Sequence, residues 1–245
     1  MNKGLLNKYF QKFGFEIHGT GYLQSVKKGA FKEDAFTVQK EMLKNCSTIF
    51  DVGANRGEIT SKYAELFPQA NVYAFEPFPD SFKILESKFF GNKRIECFQN
   101  AIGAVNTKSN LFVNRNVDTN SLLSSVKIGL SSDQQVKNVG VIEVDVCTID
   151  DFCRNKLINS IDILKLDIQG SELFALKGAT ELLKNKRINL IYSEVYFKKQ
   201  YENQPLFPDI SKFLEQFEYY LQDFYTPIYG KGNLAWCDVI FKPNN

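Results

Sequence analysis

From Thr48 onward, short apolar runs alternate with longer stretches whose apolar residues recur at helical spacing. The pattern predicts strands at Thr48–Val52, Asn71–Phe75, Ile95–Gln99, Asp162–Leu166 and Asn189–Glu194. It predicts helices at Glu58–Leu66, Pro79–Phe89, Ser171–Leu183 and Asp209–Glu218. Such alternation builds an α/β fold, a mostly parallel sheet with crossover helices. The last two apolar runs, Tyr219–Phe224 and Ala235–Phe241, flank a glycine-containing loop, Tyr229–Asn233. They are expected to pair as an antiparallel hairpin at the sheet edge. Residues 1–45 read as a charged helical leader, with Phe31, Phe36, Val38 and Leu43 on the apolar face of its second helix. Residues 46–245 form the main domain. Within it, residues 104–140 break the rhythm: a short strand at Asn110–Val113, then a polar segment rich in Asn and Ser. An insertion of that length in a compact domain serves function or moves.

Composition narrows the partners. A formal net charge of +2 lacks the basic excess of a dedicated nucleic-acid binder. The short basic runs Lys27–Lys28 and Lys184–Arg187 read as solvated faces. The five cysteines contain no C-x-x-C pair and read as small buried residues in a reducing cytosol. The N-terminus lacks the apolar core of a signal peptide, and no run reaches the roughly 18 apolar residues of a spanning helix. A cytoplasmic protein without a transmembrane segment is expected.

Candidate chemistry begins at Ile49–Thr60, IFDVGANRGEIT, where an apolar strand enters a glycine turn and then a helix. Gly53 and Gly57 permit positive φ and close backbone approach, and Ala54 and Asn55 lie between them. The helix start offers unpaired N–H groups. The spacing is G-x-x-x-G rather than the G-x-G-x-x-G of dinucleotide sites, and Asp51 precedes it. An acid there would repel a pyrophosphate but suits the amino group of a methionine moiety. The next strand ends in Phe75-Glu76-Pro77. An acid about 20 residues past the loop can accept from both ribose hydroxyls. The pair frames an amino acid joined to a nucleoside, which describes S-adenosylmethionine. The third strand runs into Asn100, Ala101 and Ile102, where a base edge is expected. Asp167 ends the fourth strand at the same crevice, followed by the Gly170 turn and a helix with Ser171 and Glu172 at its start.

Asp51–Gly57, Phe75–Pro77, Asn100–Gly103, Thr148–Asp151 and Leu164–Glu172, in that order, resemble the motifs of the FkbM-type methyltransferases. The resemblance runs from about Asp34 to Phe241. It implies a Rossmann-like, doubly wound, seven-stranded methyltransferase sheet and S-adenosylmethionine as donor. One residue departs from the pattern: Gln169 stands where the family has an acid.

Transfer to a hydroxyl needs positioning and a base or metal. Asp167 and Glu194, at neighbouring strand ends, and Glu172 are the candidate catalytic acids. The only histidine, His18, lies in the leader. Asp167 and Glu194 could also hold a divalent metal such as Mg²⁺. In the insertion, Asn120, Ser121, Ser124 and Ser125 suit a lid or an acceptor site. Tyr196, Phe197, Tyr201 and Trp236 could stack on a sugar face. The expected acceptor is a hydroxyl of a glycan or another small hydroxylated molecule. The alternatives are a nucleic-acid methyltransferase and an NAD-dependent oxidoreductase of the same fold class.

Overall fold

The computed structural model describes residues 34–126, 137–230 and 232–244. Of the expected leader it describes helix α1 (Ala35–Met42) and the turn after it; His18 and Phe31 lie outside the described residues. The compact unit that carries every feature below is Gln39–Asn245.

The first elements are β1 (Thr48–Val52), α2 (Glu58–Leu66), β2 (Asn71–Phe75), α3 (Pro79–Phe89) and β3 (Ile95–Phe98). Pro79 lies in the first turn of α3, where a missing N–H breaks no helical bond. Next come β4 (Ala101–Ile102), β5 (Thr107–Asn114), a 3₁₀ turn at Val117–Thr119, β6 (Asn138–Cys147) and α4 (Ile149–Lys156). The remainder is β7 (Ile161–Leu166), α5 (Glu172–Lys177), α6 (Thr180–Lys184), β8 (Ile188–Tyr196), α7 (Phe207–Glu215), β9 (Tyr219–Gly230) and β10 (Asn233–Pro243).

Seven strands form one sheet in the order β3-β2-β1-β7-β8-β10-β9. Neighbours from β3 to β8 are parallel, and β10 runs antiparallel to β8 and β9. This is the expected mostly parallel sheet with its antiparallel hairpin. Each residue of β7 is buried, as a central strand covered on both faces must be. On one side Phe152 of α4 stands edge-on to Phe75 and Phe98, at 4.8 Å from each ring. At the lower end, Asp162 accepts from Ser47 N (2.7 Å), Thr48 N (3.0 Å) and Asn189 Nδ2 (2.8 Å).

Three expectations are corrected. The short strand Asn110–Val113 is the middle of β5, which pairs antiparallel with β6; β4 joins β6 in parallel to complete a second, three-stranded sheet. The expected helix Ser171–Leu183 is two helices. A Cβ on Gly178 would lie 2.1 Å from Gly103 O, so the chain turns where two backbones touch. Asp150 then caps the new helix, accepting from Glu181 N (2.8 Å) and Leu182 N (3.1 Å). The helix expected at Asp209–Glu218 starts earlier and ends at Glu215.

Candidate active site

The glycine turn is fixed by its neighbours. Gly53 has φ +78°, and a Cβ there would stand 1.9 Å from Asp167 O. Gly53 N and Ala54 N both donate to Phe75 O, at 3.0 and 2.9 Å. The turn therefore threads between the ends of β2 and β7. Gly57, at φ +82°, serves packing: a Cβ would meet Phe89 at 2.6 Å and Leu85 at 2.9 Å.

A buried ion pair supports the turn from below. Lys165 Nζ lies 3.0 Å from Asp51 Oδ1, and both residues are buried. Thr60 Oγ1 donates to Asp51 Oδ2 at 2.6 Å. Lys165 also donates to Gly53 O at 2.8 Å. Burial opposes the charged amine, but the Asp51 and Asp167 carboxylates outweigh it and hold the lysine's pKa above its ordinary value. Lys165 was not singled out in the sequence; its signal is a lysine inside the apolar run IDILKL.

Above the turn lies a crevice enclosing, with its open mouth, about 710 Å³. Gly53, Asn55, Glu76, Pro77, Asn100, Ala101 and Asp167 line it, all expected there. Asp51, Ala54 and Gly57 do not. Asp51 acts through Lys165, and Ala54 packs beneath the turn on Ala74 and Leu85. Glu76 is 8% exposed. Its two oxygens accept from Asn55 N (2.9 Å) and Phe78 N (2.8 Å). Burial raises its pKa, and those two N–H bonds oppose the rise. Each oxygen keeps a further lone pair for a ligand.

The insertion roofs the crevice through Leu111, Val117, Asp118, Asn120, Ser121 and Leu122. Asn55 Nδ2 donates to Asp118 Oδ1 at 2.8 Å, tying the roof to the glycine turn. Ser121 Oγ donates to Gln169 O at 2.7 Å. Asn120 Oδ1 accepts from Asn114 N at 2.8 Å, while its buried Nδ2 has no hydrogen-bond partner among the described residues. Ser124 O accepts from Glu202 N at 2.8 Å, and Ser125 bridges to Tyr201. Residues 127–136 of the insertion lie outside the described residues.

Of the candidate acids, Asp167 reaches the crevice, with its side chain 44% exposed. Glu194 lies behind it. Gln169 joins the two, donating from Nε2 to Asp167 Oδ1 (3.0 Å) and Glu194 Oε2 (3.2 Å). Burial, then the Asp167 charge, push Glu194 well above the usual carboxylate range. Glu172 is buried under the turn, where its Oε1 accepts from Ile168 N and Gly170 N, both at 3.1 Å. It does not line the crevice. Burial pushes its pKa up to about 7 against those bonds. Among the described residues no three His, Cys, Asp or Glu side chains converge as metal ligands. Of the aromatics, Tyr196 and Trp236 face each other at 6.2 Å near Glu194. Phe197 packs on Phe207 at 5.3 Å, against the core.

The methyltransferase FkbM domain matches residues 51–221. A 2-O-methyltransferase, NoeI, of Sinorhizobium fredii (strain NBRC 101917 / NGR234) is 28% identical over 176 residues, 69% of this chain and 72% of that protein. An rRNA methylase from Streptococcus thermophilus aligns in structure with a TM-score of 0.46 at 13% identity, over 88% of this chain and 99% of that one. A 1,6-didemethyltoxoflavin-N1-methyltransferase from Burkholderia thailandensis, with S-adenosylhomocysteine bound, aligns with a TM-score of 0.45 at 13% identity, over 92% and 87%. The matched domain spans the ends of β1, β2 and β7 that shape the crevice, and the chain belongs to the FkbM methyltransferase family.

Proposed function

We propose that the crevice binds S-adenosylmethionine and that the enzyme methylates a hydroxyl of a glycan or another small hydroxylated acceptor. The observation that carries this reading is Glu76, a buried carboxylate at the tip of β2 that faces the crevice with lone pairs to spare. It suits the two ribose hydroxyls. Asn100, Ala101 and Ile102 suit the base, and the orphaned Asn120 Nδ2 offers a donor from the roof. The donor supplies an activated methyl on a sulfonium. Asp167 then serves as the base that takes the acceptor's hydroxyl proton as oxygen bonds to the methyl and the carbon–sulfur bond breaks. The Sinorhizobium relative is a 2-O-methyltransferase, which supports oxygen as the acceptor atom. Of the aromatics expected to stack on a sugar, Tyr196 and Tyr201 are buried, which leaves the half-buried Trp236 as the ring suited to a sugar face.

A divalent metal does not fit the Asp167–Glu194 pair, because the gap between those acids is spanned by an N–H₂ group rather than by oxygen ligands. Calorimetric titration with S-adenosylmethionine and with NAD tests the donor: saturable binding of the first and not the second is expected. NAD binding alone would sink the reading. Incubating the enzyme and methyl-labelled donor with carbohydrate extracts tests the acceptor. Label confined to nucleic acid or protein in parallel extracts would overturn the glycan assignment.

A further inference from the structure

Resting on that reading, we propose that the carboxamide of Gln169 replaces a cation at the acid pair, joining Asp167 to Glu194 and fixing Asp167 toward the crevice. The two amide hydrogens serve the two acids, one each. The carbonyl end accepts from Tyr201 OH at 2.9 Å, and Tyr196 OH, 3.2 Å from Oε1, directs its one hydrogen to the nearer Glu194. Tyr196 OH also stands 2.5 Å from Glu194 Oε2. A flipped amide would turn its oxygen against the Asp167 carboxylate and take the acceptor from Tyr201 OH, so the network favours one orientation. With Oδ1 engaged by the amide, Asp167 turns Oδ2 toward the long ion pair with Lys165 Nζ at 3.9 Å, with its side chain still 44% exposed to the crevice.

The backbone shows the same over-determination. Gln169 has φ +54°, a left-handed conformation that costs a side-chain-bearing residue on the order of 1 kcal/mol. It persists because Ser121 clamps the Gln169 carbonyl and because Gly170 follows at φ +92°. A Cβ on Gly170 would stand 2.8 Å from Gln204 Nε2. A strained residue held by side chain and backbone together points to a task at that position.

Gln169→Glu would set three carboxylates around one point, a ligand set suited to a hard divalent cation. Mn²⁺ is the probe, with melting temperature as readout and calorimetry as a second measure. Chelator-treated wild type is expected to show no saturable Mn²⁺ site and no rise in melting temperature. Gln169→Glu should melt lower than wild type in chelator and recover by about 5 °C or more in saturating Mn²⁺. Adding Asp167→Asn should abolish the recovery, and Gln169→Ala should melt low without responding to Mn²⁺. These differences separate bridging of the acids from a packing role, which Mn²⁺ would not restore. An Asp167-dependent Mn²⁺ site in wild type, or no recovery in Gln169→Glu, would overturn the inference. Titration of the same samples with S-adenosylmethionine reports separately on the functional reading. Donor binding without the Mn²⁺ response defeats only the inference, and absent donor binding in wild type defeats the reading beneath it.

Discussion

Lys165 and Asp51 carry the glycine turn from inside the sheet. Removing one partner of a buried pair leaves the other charge uncompensated, at a cost of about 3–5 kcal/mol. Lys165→Met should therefore lower stability by that amount in denaturant unfolding, and it should also weaken donor binding, since Gly53 O loses its lysine donor. Unchanged unfolding would show that the pair contributes nothing. Glu172 makes a different prediction. Its folded pKa, about 7, lies above the ordinary 4.5, so between those values the folded state binds more protons than the unfolded state. Its stabilising contribution is thus fully present below about 4.5 and is lost as pH rises through about 7. Glu172→Gln keeps an acceptor for Ile168 N and Gly170 N while removing the titration. Melting temperatures measured from pH 5 to 8 should fall less steeply in the variant, and parallel curves would contradict this. The sequence made residue types legible here but not their directions. Asp51 and Glu172 read as site acids because strand ends and helix starts suit acids. Whether such a side chain points into a crevice or under a turn depends on Lys165 and on the Ile168–Gly170 backbone, far from or across the local pattern.

At the scale of elements, legibility followed burial. β1, β2, α2 and α3 match their expected bounds because each presents one apolar pattern to one core. β6 escaped because its alternating residues, NVGVIEVDVC, leave one face exposed and its partner β5 is distant in sequence. The break between α5 and α6 has a non-local cause as well, the Gly103–Gly178 contact and the Asp150 cap. The T-I-D-D motif gains a physical meaning from this. Thr148 caps its own helix by accepting from Asp151 N at 3.1 Å, and Asp150 caps the next helix but one. The roof of the crevice is likewise held from outside itself. Val126 N donates to Gln200 O at 3.0 Å, and Tyr201 OH lies 3.1 Å from Thr119 O. Ser121→Ala combined with Tyr201→Phe removes two such ties, each worth about 1 kcal/mol. Amide exchange at residues 117–126 should quicken by roughly tenfold or more, while exchange in β7 stays unchanged. Equal quickening in both places would mean general destabilisation rather than an opened roof.

For the molecule as a whole, strand order decides where a ligand can sit. β1 is flanked by β2 on one side and β7 on the other, so connections leave the sheet in opposite directions around it. A crevice opens at the carboxyl ends of strands at such a switch point. Gly53, Glu76 and Asp167 come from three separate strand ends and meet there. A ligand held by all three binds only the folded chain, and its free energy adds to stability. At a donor concentration of 100 times Kd the gain is about 2.7 kcal/mol. For a domain of this size that raises the melting temperature by about 5–10 °C. Glu76→Gln would keep the shape of the site but lose the charge-assisted bonds proposed to the ribose, a loss of about 1–3 kcal/mol. If binding weakens tenfold, the same donor concentration adds only about 1.4 kcal/mol, and the thermal shift halves. S-adenosylhomocysteine should shift wild type similarly, since it keeps the ribose, base and amino-acid portions, whereas NAD should not. A Glu76→Gln variant that shifts as far as wild type would remove Glu76 from the donor site. The crevice would then have to hold its ligand through the turn and the roof alone.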